Sequence, residues 1–280
     1  MRIIAHSLIK NEEKFIWYSV MSVIEYVDRI IIWDTGSIDN TLKIISEIQK
    51  SKEVQGKITL KKFSFSNFDE GKIRQQMLDE DKSDWIFVLD GDEVWWDDSI
   101  KRVVNFIRNE GDNFESLVVP TINPIGDIFH YQEEKAGRYH FSGRIGHYNL
   151  RALNRRIHGL ASTGGHGTWA WIDKDKKTIQ ERDSKMIRFI NAPYLNLTYL
   201  PRSANREDDK QVYKRKRKLK HELGNSFSLD YYYPEVFFKP RPRIVASPWQ
   251  KMDIGYKFRA FFETPLRKVN RRIMPVKVGY

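Results

Sequence analysis

The stretch WIFVLDGDEVWW, residues 85–96, passes from an apolar run into three carboxylates within four positions. The apolar part has the length and composition of a buried β-strand. Asp90, Asp92 and Glu93 follow it, with only Gly91 as a spacer. Carboxylates this close repel one another unless a cation neutralises them. A divalent metal would supply that charge, and oxygen ligands alone favour Mn²⁺ or Mg²⁺. The stretch therefore predicts a metal held by Asp90 and Asp92.

A structural interpretation of the same stretch stays open. An Asp after a buried strand often begins a turn, and Asp98 or Ser99 could cap the following helix. The Asp-x-Asp pattern (DXD) is also short enough to occur by chance. Gly91 would allow the backbone and a diphosphate to approach each other closely. The metal hypothesis thus depends on the rest of the chain.

The first 120 residues alternate between β-rich apolar runs and helical patterns. The apolar runs cover residues 2–9, 28–34, 57–63 and 84–90, and helical patterns follow over 11–27, 39–51, 69–80 and 98–109. This series predicts an α/β fold with a mostly parallel sheet and helices on both faces. Ligands of such sheets bind at the carboxyl ends of the strands, where Asp34 and Asp90 are expected.

Composition narrows the class of protein. The chain has 280 residues and 40% hydrophobic content, enough for a packed core. No uncharged run approaches the roughly 20 residues that cross a bilayer, and the N-terminal apolar run is too short for a signal peptide. The absence of cysteine excludes disulfides, thiolate metal sites and a cysteine nucleophile. We expect a cytoplasmic protein.

The net charge of +11 lies in the C-terminal part of the chain. Residues 201–280 hold 20 Lys and Arg against 8 Asp and Glu. A helix is predicted over 204–223, with the basic run KRKRKLK (214–220) towards its end. This asymmetry suggests an anionic partner, such as the cytoplasmic face of a membrane.

The segment DIGYKFRAFFETPLRKVNRRIM, residues 253–274, has apolar residues at helical spacing and basic residues between them. That pattern is typical of a helix that lies in a membrane interface. The same apolar stripe could instead pack on the rest of the protein, and Pro265 would kink or end the helix. The sequence leaves both alternatives open.

Four segments together resemble a known family. KNEE (10–13), DTGSIDNT (34–41), FDEGKIRQQ (68–76) and VLDGDE (88–93) are similar, in order and spacing, to the nucleotide-sugar-binding half of the GT-A, family 2 glycosyltransferases. The resemblance covers about the first 100 residues closely. YLNLTYLPRS (194–203) resembles a segment that some members carry after the acceptor region. The implied fold is GT-A, which is Rossmann-like, here with a basic C-terminal helical extension.

The resemblance also implies roles for individual residues. Asn11 and Asp34 would lie beside the base and ribose of the donor, and Arg74 near the base or the diphosphate. Asp90 would face the ribose or the metal, and Asp92 would hold the metal that bridges the phosphates. Gly91 would belong to the same substrate-binding set.

Three features leave parts of this assignment open. Arg74 could simply pair with Asp69 or Glu70 on its own helix. Many relatives carry a His-Glu pair after the central region, whereas His166 is followed here by glycine, and relatives often have His in place of Tyr199. We select His166 as the candidate catalytic base or third metal ligand. The alternative is that it is a loop histidine with neither role. His147, His158 and Asp173 remain open as further candidates.

The implied function is an inverting, metal-dependent transfer of a sugar from a nucleotide diphosphate sugar to a glycan, lipid-linked or protein acceptor. Residues 1–120 would bind the donor, 121–203 would complete the acceptor side, and 204–280 would form a basic helix and tail. One alternative is a nucleic-acid-binding or anionic-surface-binding protein that acts through this tail, although no nucleic-acid module is present. Another is a haloacid-dehalogenase-type phosphatase with Asp90 as nucleophile, but those enzymes usually begin with that strand.

Overall fold

A computed structural model describes residues 1–63, 69–141, 143–165, 168–212, 215, 219–273 and 277–278. The first half of the chain contains β1 (Ile3–Ile9), α1 (Ile16–Val23), β2 (Arg29–Asp34), α2 (Thr41–Lys50), β3 (Ile58–Lys62), α3 (Glu70–Glu80), β4 (Trp85–Val88), β5 (Glu93–Trp95) and α4 (Asp97–Glu110). The predicted alternation of strands and helices is confirmed over this half. The strand predicted over 84–90 ends at Val88, because the chain turns at Asp90, whose carbonyl accepts the N–H of Glu93 at 3.2 Å.

The second half consists mainly of short strands. They are β6 (Ser116–Ile122), β7 (Pro124–Ile125), β8 (Asp127–Tyr131), β9 (Tyr139–Phe141), β10 (Arg144–Gly146), β11 (Tyr148–Asn154), β12 (Ala161–Thr163), β13 (Ala170–Ile172), β14 (Ile187–Phe189), β15 (Tyr194–Asn196), β16 (Asn225–Ser226) and β17 (Lys277–Val278), with helices α5 (Arg206–Lys210) and α6 (Ile254–Ile273).

One nine-stranded sheet organises the molecule. Its strands run in the order β3-β2-β1-β4-β11-β6-β15-β5, with β14 also beside β6. The strands β3, β2, β1 and β4 are mutually parallel, and β11 is antiparallel to both of its neighbours. The predicted α/β class with a mostly parallel sheet is confirmed. Ile9 lies opposite Asp34 and His6 lies opposite Val88, so the carboxyl ends of β1, β2 and β4 meet at one edge.

The main hydrophobic core joins distant parts of the chain. It includes side chains of β1, α1, α2 and α4 together with Tyr233, Val236, Phe237 and Val245 from the C-terminal region. The ring of Phe237 contacts that of Tyr18 edge to face, with centroids 5.2 Å apart. The region after residue 204 therefore contributes to the same core as the N-terminal half.

Helix starts differ in detail from the sequence patterns. The pattern over 11–27 gives a helix that begins only at Ile16, because Asn11 takes a left-handed backbone conformation with φ of 53°. The helix predicted over 98–109 begins at Asp97 and has Trp96 as its N-cap residue, without a side-chain cap. The N–H of Asp97 instead donates to Glu235 Oε2 at 2.9 Å, so neither Asp98 nor Ser99 caps the helix.

The helix predicted over 204–223 is shorter and is not continuous. Helix α5 ends at Lys210, Arg215 is again helical, and residues 219–224 are not helical. Their backbone has other partners, since the N–H of Leu223 donates to Thr264 Oγ1 at 2.8 Å. Tertiary contacts thus override helix propensity there. Within the basic run 214–220, residues 214 and 216–218 lie outside the described residues.

Helix α6 covers most of the segment 253–274 and runs through Pro265, so the helix does not end at the proline. Neither α6 nor any other helix in the described ranges is both long enough and apolar enough to cross a bilayer.

Candidate functional site

Asn11 joins three segments at the carboxyl end of β1. Its side chain is fully buried. Its Oδ1 accepts the N–H of Ile38 at 2.9 Å, and its Nδ2 donates to the carbonyl of Asp208 at 2.8 Å. The side chain therefore fixes the loop after β2 and helix α5 against the end of β1.

Asp34 ends β2 and shapes the loop that follows. Its Oδ2 accepts the N–H groups of Gly36 and Ser37, both at 3.0 Å, and its Oδ1 accepts the hydroxyl of Ser37. Both carboxylate oxygens thus have partners in the Asp34–Ser37 turn. Asp39 has a similar role at the start of α2, where its Oδ1 accepts the N–H of Thr41 at 3.0 Å.

Asp90 is the acidic residue of the DXD stretch that faces outward. Its side chain is 36% exposed, and its two oxygens lie 3.4 Å from Nη2 of Arg74 and 3.4 Å from Nη2 of Arg151. Its backbone carbonyl accepts the hydroxyl of Ser19 at 2.9 Å. An exposed carboxylate between two guanidinium groups can take part in binding a charged ligand.

Gly91 is required by the packing of the strand ends. A Cβ at this position would lie 2.8 Å from Cγ of Glu12 and 3.2 Å from Cγ2 of Ile9. The close approach that the sequence suggested for a diphosphate is made in the structure by the Glu12 side chain, because β1 and β4 are neighbours.

Asp92 and Glu12 share a buried cluster with two arginines. Nη1 of Arg202 lies 2.8 Å from Oε1 of Glu12, and its Nη2 lies 3.0 Å from Oδ2 of Asp92. Arg215 also contacts Glu12, and its Nη1 lies 3.1 Å from Oδ1 of Asp209. Burial raises the pKa of Glu12 to about 7, although both arginines act to lower it.

Glu93 points into the protein and has no exposed surface. Its Oε1 accepts the hydroxyl of Tyr194 at 2.9 Å and also contacts the guanidinium of Arg151. Its Oε2 accepts the N–H of Asp90 at 3.3 Å. Burial raises the pKa of Glu93 well above its ordinary value, while Arg151 opposes that shift. Glu93 therefore orders the turn that presents Asp90 and Asp92.

Arg74 pairs with a residue of its own helix and also lies at the candidate site, so both hypotheses from the sequence remain compatible with its position. Its Nε donates to Glu70 Oε1 at 3.1 Å on the same helix, and it also reaches Asp90. The ring of Trp169 lies 4.2 Å from its guanidinium carbon, a cation–π arrangement. Arg74 thus links α3, the DXD stretch and the hairpin of β12 and β13.

Four buried arginines offset the repulsion between the acidic residues. Arg74, Arg151, Arg202 and Arg215 are all less than 9% exposed and contact the carboxylates described above. Of these, only Arg74 is a candidate from the sequence, and Arg202 lies within the family-like segment YLNLTYLPRS. Arg151 carried a signal, because it is a charged residue within the apolar strand YNLRALN. Arg215 carried none, since it lies within a continuous basic run.

The histidines divide into several environments. His166 lies outside the described residues. The Nδ1 of His147 lies 2.8 Å from Asn123 Nδ2, and burial lowers the pKa of His147. His158 is exposed. Asp173, the other open candidate, accepts backbone N–H groups of its own loop and pairs with Arg182. His147 and Asp173 therefore have structural partners.

The acidic residues offer a partial set of metal ligands. Among the described residues, no group of three or more His, Asp or Glu side chains could hold a metal ion. Asp92 Oδ2 is buried and makes no hydrogen bond with any described group, although the guanidinium of Arg202 is near. A partly exposed Asp90 and an Asp92 oxygen that pairs with Arg202 without a hydrogen bond fit a hard cation whose other ligands come from phosphates and water.

Comparison with known proteins gave one family and several similar folds. A model of the family described as glycosyl transferase family 2 matches residues 8–160. A search of curated proteins gave no match.

The solved structures that match part of this chain include the following three. TarS 1-349 from S. aureus is 12% identical over 78% of this chain and 71% of that one, with a TM-score of 0.42. A mannosyltransferase of Pyrobaculum calidifontis in complex with GDP-Man and Mn²⁺ is 16% identical over 56% and 45%, with a TM-score of 0.40. Glucosyl-3-phosphoglycerate synthase of Mycobacterium tuberculosis, in complex with Mn²⁺, UDP and glucosyl-3-phosphoglycerate, is 14% identical over 69% and 70%, with a TM-score of 0.44.

Proposed function

Because the chain belongs to glycosyl transferase family 2 and is a glycosyltransferase, we propose that it transfers a sugar from a nucleotide diphosphate sugar to an acceptor hydroxyl with inversion. The observation that carries this proposal is the edge where β1 and β4 end. There the exposed Asp90 lies between Arg74 and Arg151, next to a buried Asp92 oxygen without a hydrogen bond. This edge combines carboxylates for a cation with guanidinium groups for a diphosphate.

We assign the donor to residues 1–120 and the acceptor to residues 121–203, with 204–280 as a basic extension. Asn11 and Asp34 would hold the nucleoside, since they order the loops that end β1 and β2. Arg74, already fixed by Glu70 and Trp169, would face the diphosphate. Gly91 keeps the DXD backbone close to Glu12 so that this arrangement can form.

Asp90 and Asp92 would hold Mn²⁺ or Mg²⁺ together with the oxygens of the diphosphate. A metal in this place acts as a Lewis acid that stabilises negative charge on the leaving diphosphate. Arg202 neutralises Asp92 and Glu12, so its guanidinium would shift from Asp92 when the cation takes that oxygen. His166 is the residue that we propose as the base for the acceptor hydroxyl. The acceptor would be a glycan, a lipid-linked sugar or a protein hydroxyl.

The substitution Asp92→Asn tests this proposal. It keeps the size of the side chain and removes the charge that the cation needs. We expect the wild-type protein to bind nucleoside diphosphate in calorimetry with Mn²⁺ and to bind at least about tenfold more weakly with EDTA. Asp92→Asn should bind at least about tenfold more weakly with Mn²⁺, and sugar transfer or donor hydrolysis should fall with it.

The matched control is Asp98→Asn, which removes an exposed carboxylate on the surface of α4. It should bind the diphosphate like the wild-type protein. Unchanged binding and turnover in Asp92→Asn, together with no effect of EDTA, would refute the metal assignment.

A further inference from the structure

Helix α6 carries its large apolar side chains on the side that faces solvent. The exposed residues of this outer face are Ile254 (85%), Phe258 (69%), Phe261 (64%), Phe262 (59%), Leu266 (70%), Val269 (54%) and Ile273 (76%). At about 100° per residue they fall within an arc of about 140° along the helix. The apolar stripe is therefore continuous, and it does not pack on the other parts of the protein that the structure describes.

The inner face of α6 carries small and polar side chains instead. The hydroxyl of Tyr256 donates to the carbonyl of Lys220 at 2.7 Å, and Thr264 accepts the N–H of Leu223. Ala260 is fully buried, and Arg271 pairs with the buried carboxylate of Glu222. These contacts along about four turns fix which side of α6 faces outward.

Basic residues lie along the borders of the apolar outer face and, at Arg272, within its C-terminal end. The helix contains six Lys and Arg residues and a single acidic residue, Glu263, which pairs with Arg259 and Arg267. Lys257 and Arg272 are exposed, and Lys268 is half-buried. Pro265 also lies on the exposed side, so the backbone carbonyl that loses its hydrogen bond there can reach solvent.

We propose that the outer face of α6 binds an anionic phospholipid surface, with its apolar side chains among the acyl chains and its basic residues at the headgroups. An exposed apolar stripe of this extent marks an interaction site. A basic border would repel the same border on a second copy of this chain, but it complements anionic headgroups. This combination favours a membrane surface over a dimer interface.

The bound orientation would also select the substrate. Helix α6 contacts the backbone carbonyl of Lys220. The ammonium of the same lysine lies 4.5 Å from the ring centroid of Tyr199, three residues after β15. Strand β15 pairs with β5, which follows the DXD stretch directly. The lipid surface would thus lie beside the acceptor side of the site, which suits a lipid-linked acceptor. This last step rests on the proposed function, whereas the membrane contact does not.

Vesicle sedimentation tests the contact with a matched pair of variants. The first variant, Phe261→Ser with Leu266→Ser and Ile273→Ser, removes three outer-face residues. The control, Phe238→Ser with Leu229→Ser and Ile145→Ser, removes the same residue types from exposed positions outside α6. Full-length proteins are mixed with vesicles of phosphatidylcholine alone or with about one third phosphatidylglycerol, and lipid partition is measured at about 0.1 M and 0.5 M NaCl.

We expect the wild-type protein and the control to partition onto anionic vesicles, and the α6 variant to partition at least about tenfold less. Partition of the wild-type protein should fall on neutral vesicles and at high salt. Equal partition of the two variants would overturn the proposal. Failure of the wild-type protein to partition onto anionic vesicles would also overturn it. So would light scattering that shows a dimer for the wild-type protein and a monomer for the α6 variant. Donor binding by calorimetry should be equal in all three proteins, so loss of donor binding in the wild-type protein would count against the proposed function alone.

Discussion

At the scale of single residues, the acidic stretch is stable because every carboxylate in it contacts at least one arginine. Glu93 pairs with Arg151, Asp92 with Arg202, and Asp90 lies between Arg151 and Arg74. Removing one member of a buried pair leaves an uncompensated charge and costs about 3–5 kcal/mol. The arginines are therefore part of the fold as well as candidates for ligand binding.

His6 predicts a pH dependence of stability that is separate from the site. Its ring is buried on β1, with Nε2 3.1 Å from Asp81 Oδ2, and burial lowers its pKa below 6.5. Below pH 6.5 the unfolded chain takes up a proton at His6 that the folded chain does not. The free energy of unfolding should therefore fall with acidification, by up to about 1.4 kcal/mol per pH unit from this group.

The variant His6→Gln isolates that contribution. Urea unfolding of both proteins at pH 8, where the histidine is neutral in either state, gives the pH-independent cost of the substitution. Between pH 6.5 and pH 5 the stability of the variant should decline less steeply than that of the wild-type protein. Parallel stability curves would exclude His6 as the source.

The sequence identified the acidic residues at this scale but not their partners. Asp90 and Asp92 stand out because three carboxylates within four positions follow an apolar run. Arg202 and Arg215 reach Glu12 across 190 and 203 residues, and such long-range pairs have no local pattern. Asp34 was expected to face a ligand, and only the structure shows that its oxygens also hold the Gly36–Ser37 turn.

At the scale of elements, α3 is held against the loop after β12 by a contact between two glycines. The N–H of Gly71 donates to the carbonyl of Gly164 at 2.9 Å. The same hairpin places Trp169 on Arg74, and its Ser162 N–H donates to Gln75 Oε1 at 2.7 Å. The position of Arg74 therefore depends on how closely these elements approach.

Gly71→Ala should break this approach. A Cβ at Gly71 would lie 2.5 Å from the carbonyl oxygen of Gly164, and backbone atoms cannot move aside cheaply. Alanine favours a helix by about 1 kcal/mol over glycine, but the clash should produce a net loss of about 1–3 kcal/mol in the free energy of unfolding. Thermal and urea unfolding measure the difference.

Gly165→Ala is the matched control, because a Cβ there meets no atom of the described residues within 4 Å. Its stability should stay within about 0.5 kcal/mol of the wild-type value. A Gly71→Ala protein as stable as this control would show that the hairpin of β12 and β13 can move away from α3 without lowering the free energy of unfolding.

Elements could be predicted from the sequence where hydrophobic periodicity and burial agree. Strands β1 to β4 and helices α2 to α4 follow such patterns. The helix predicted over 204–223 ends before residue 219, because the backbone that follows serves tertiary contacts, as Leu223 with Thr264 shows. The sequence of α6 shows the pattern of apolar and basic residues that is typical of an interfacial helix, but only the structure shows which face packs inward.

At the scale of the whole molecule, the C-terminal region stabilises the N-terminal sheet. Phe237 is 2% exposed and packs among Tyr18, Tyr233 and Trp249. Phe238, the next residue, is 64% exposed. Substitution of these two adjacent phenylalanines therefore compares a core position with a surface position in the same segment.

Phe237→Ala should lower the free energy of unfolding by about 3–5 kcal/mol, since it removes a large ring from a packed core. Phe238→Ala should lower it by less than about 1 kcal/mol. In urea, fluorescence and circular dichroism should report the same lowered midpoint for Phe237→Ala, because one core unfolds as one unit. Separate midpoints, or equal stability of the two variants, would mean that the C-terminal region folds independently.

The ion pairs of Glu12 have a consequence for the order in which the protein can be made. A ribosome releases the carboxylates of Glu12 and Asp92 long before Arg202 and Arg215 emerge. Until then, the first strands would have to bury negative charges without their cations, which opposes closure of that edge. The nascent chain should therefore keep the edge where β1 and β4 end open through synthesis of the whole family-matching region, 8–160, and complete it only after Arg202 and Arg215 have emerged.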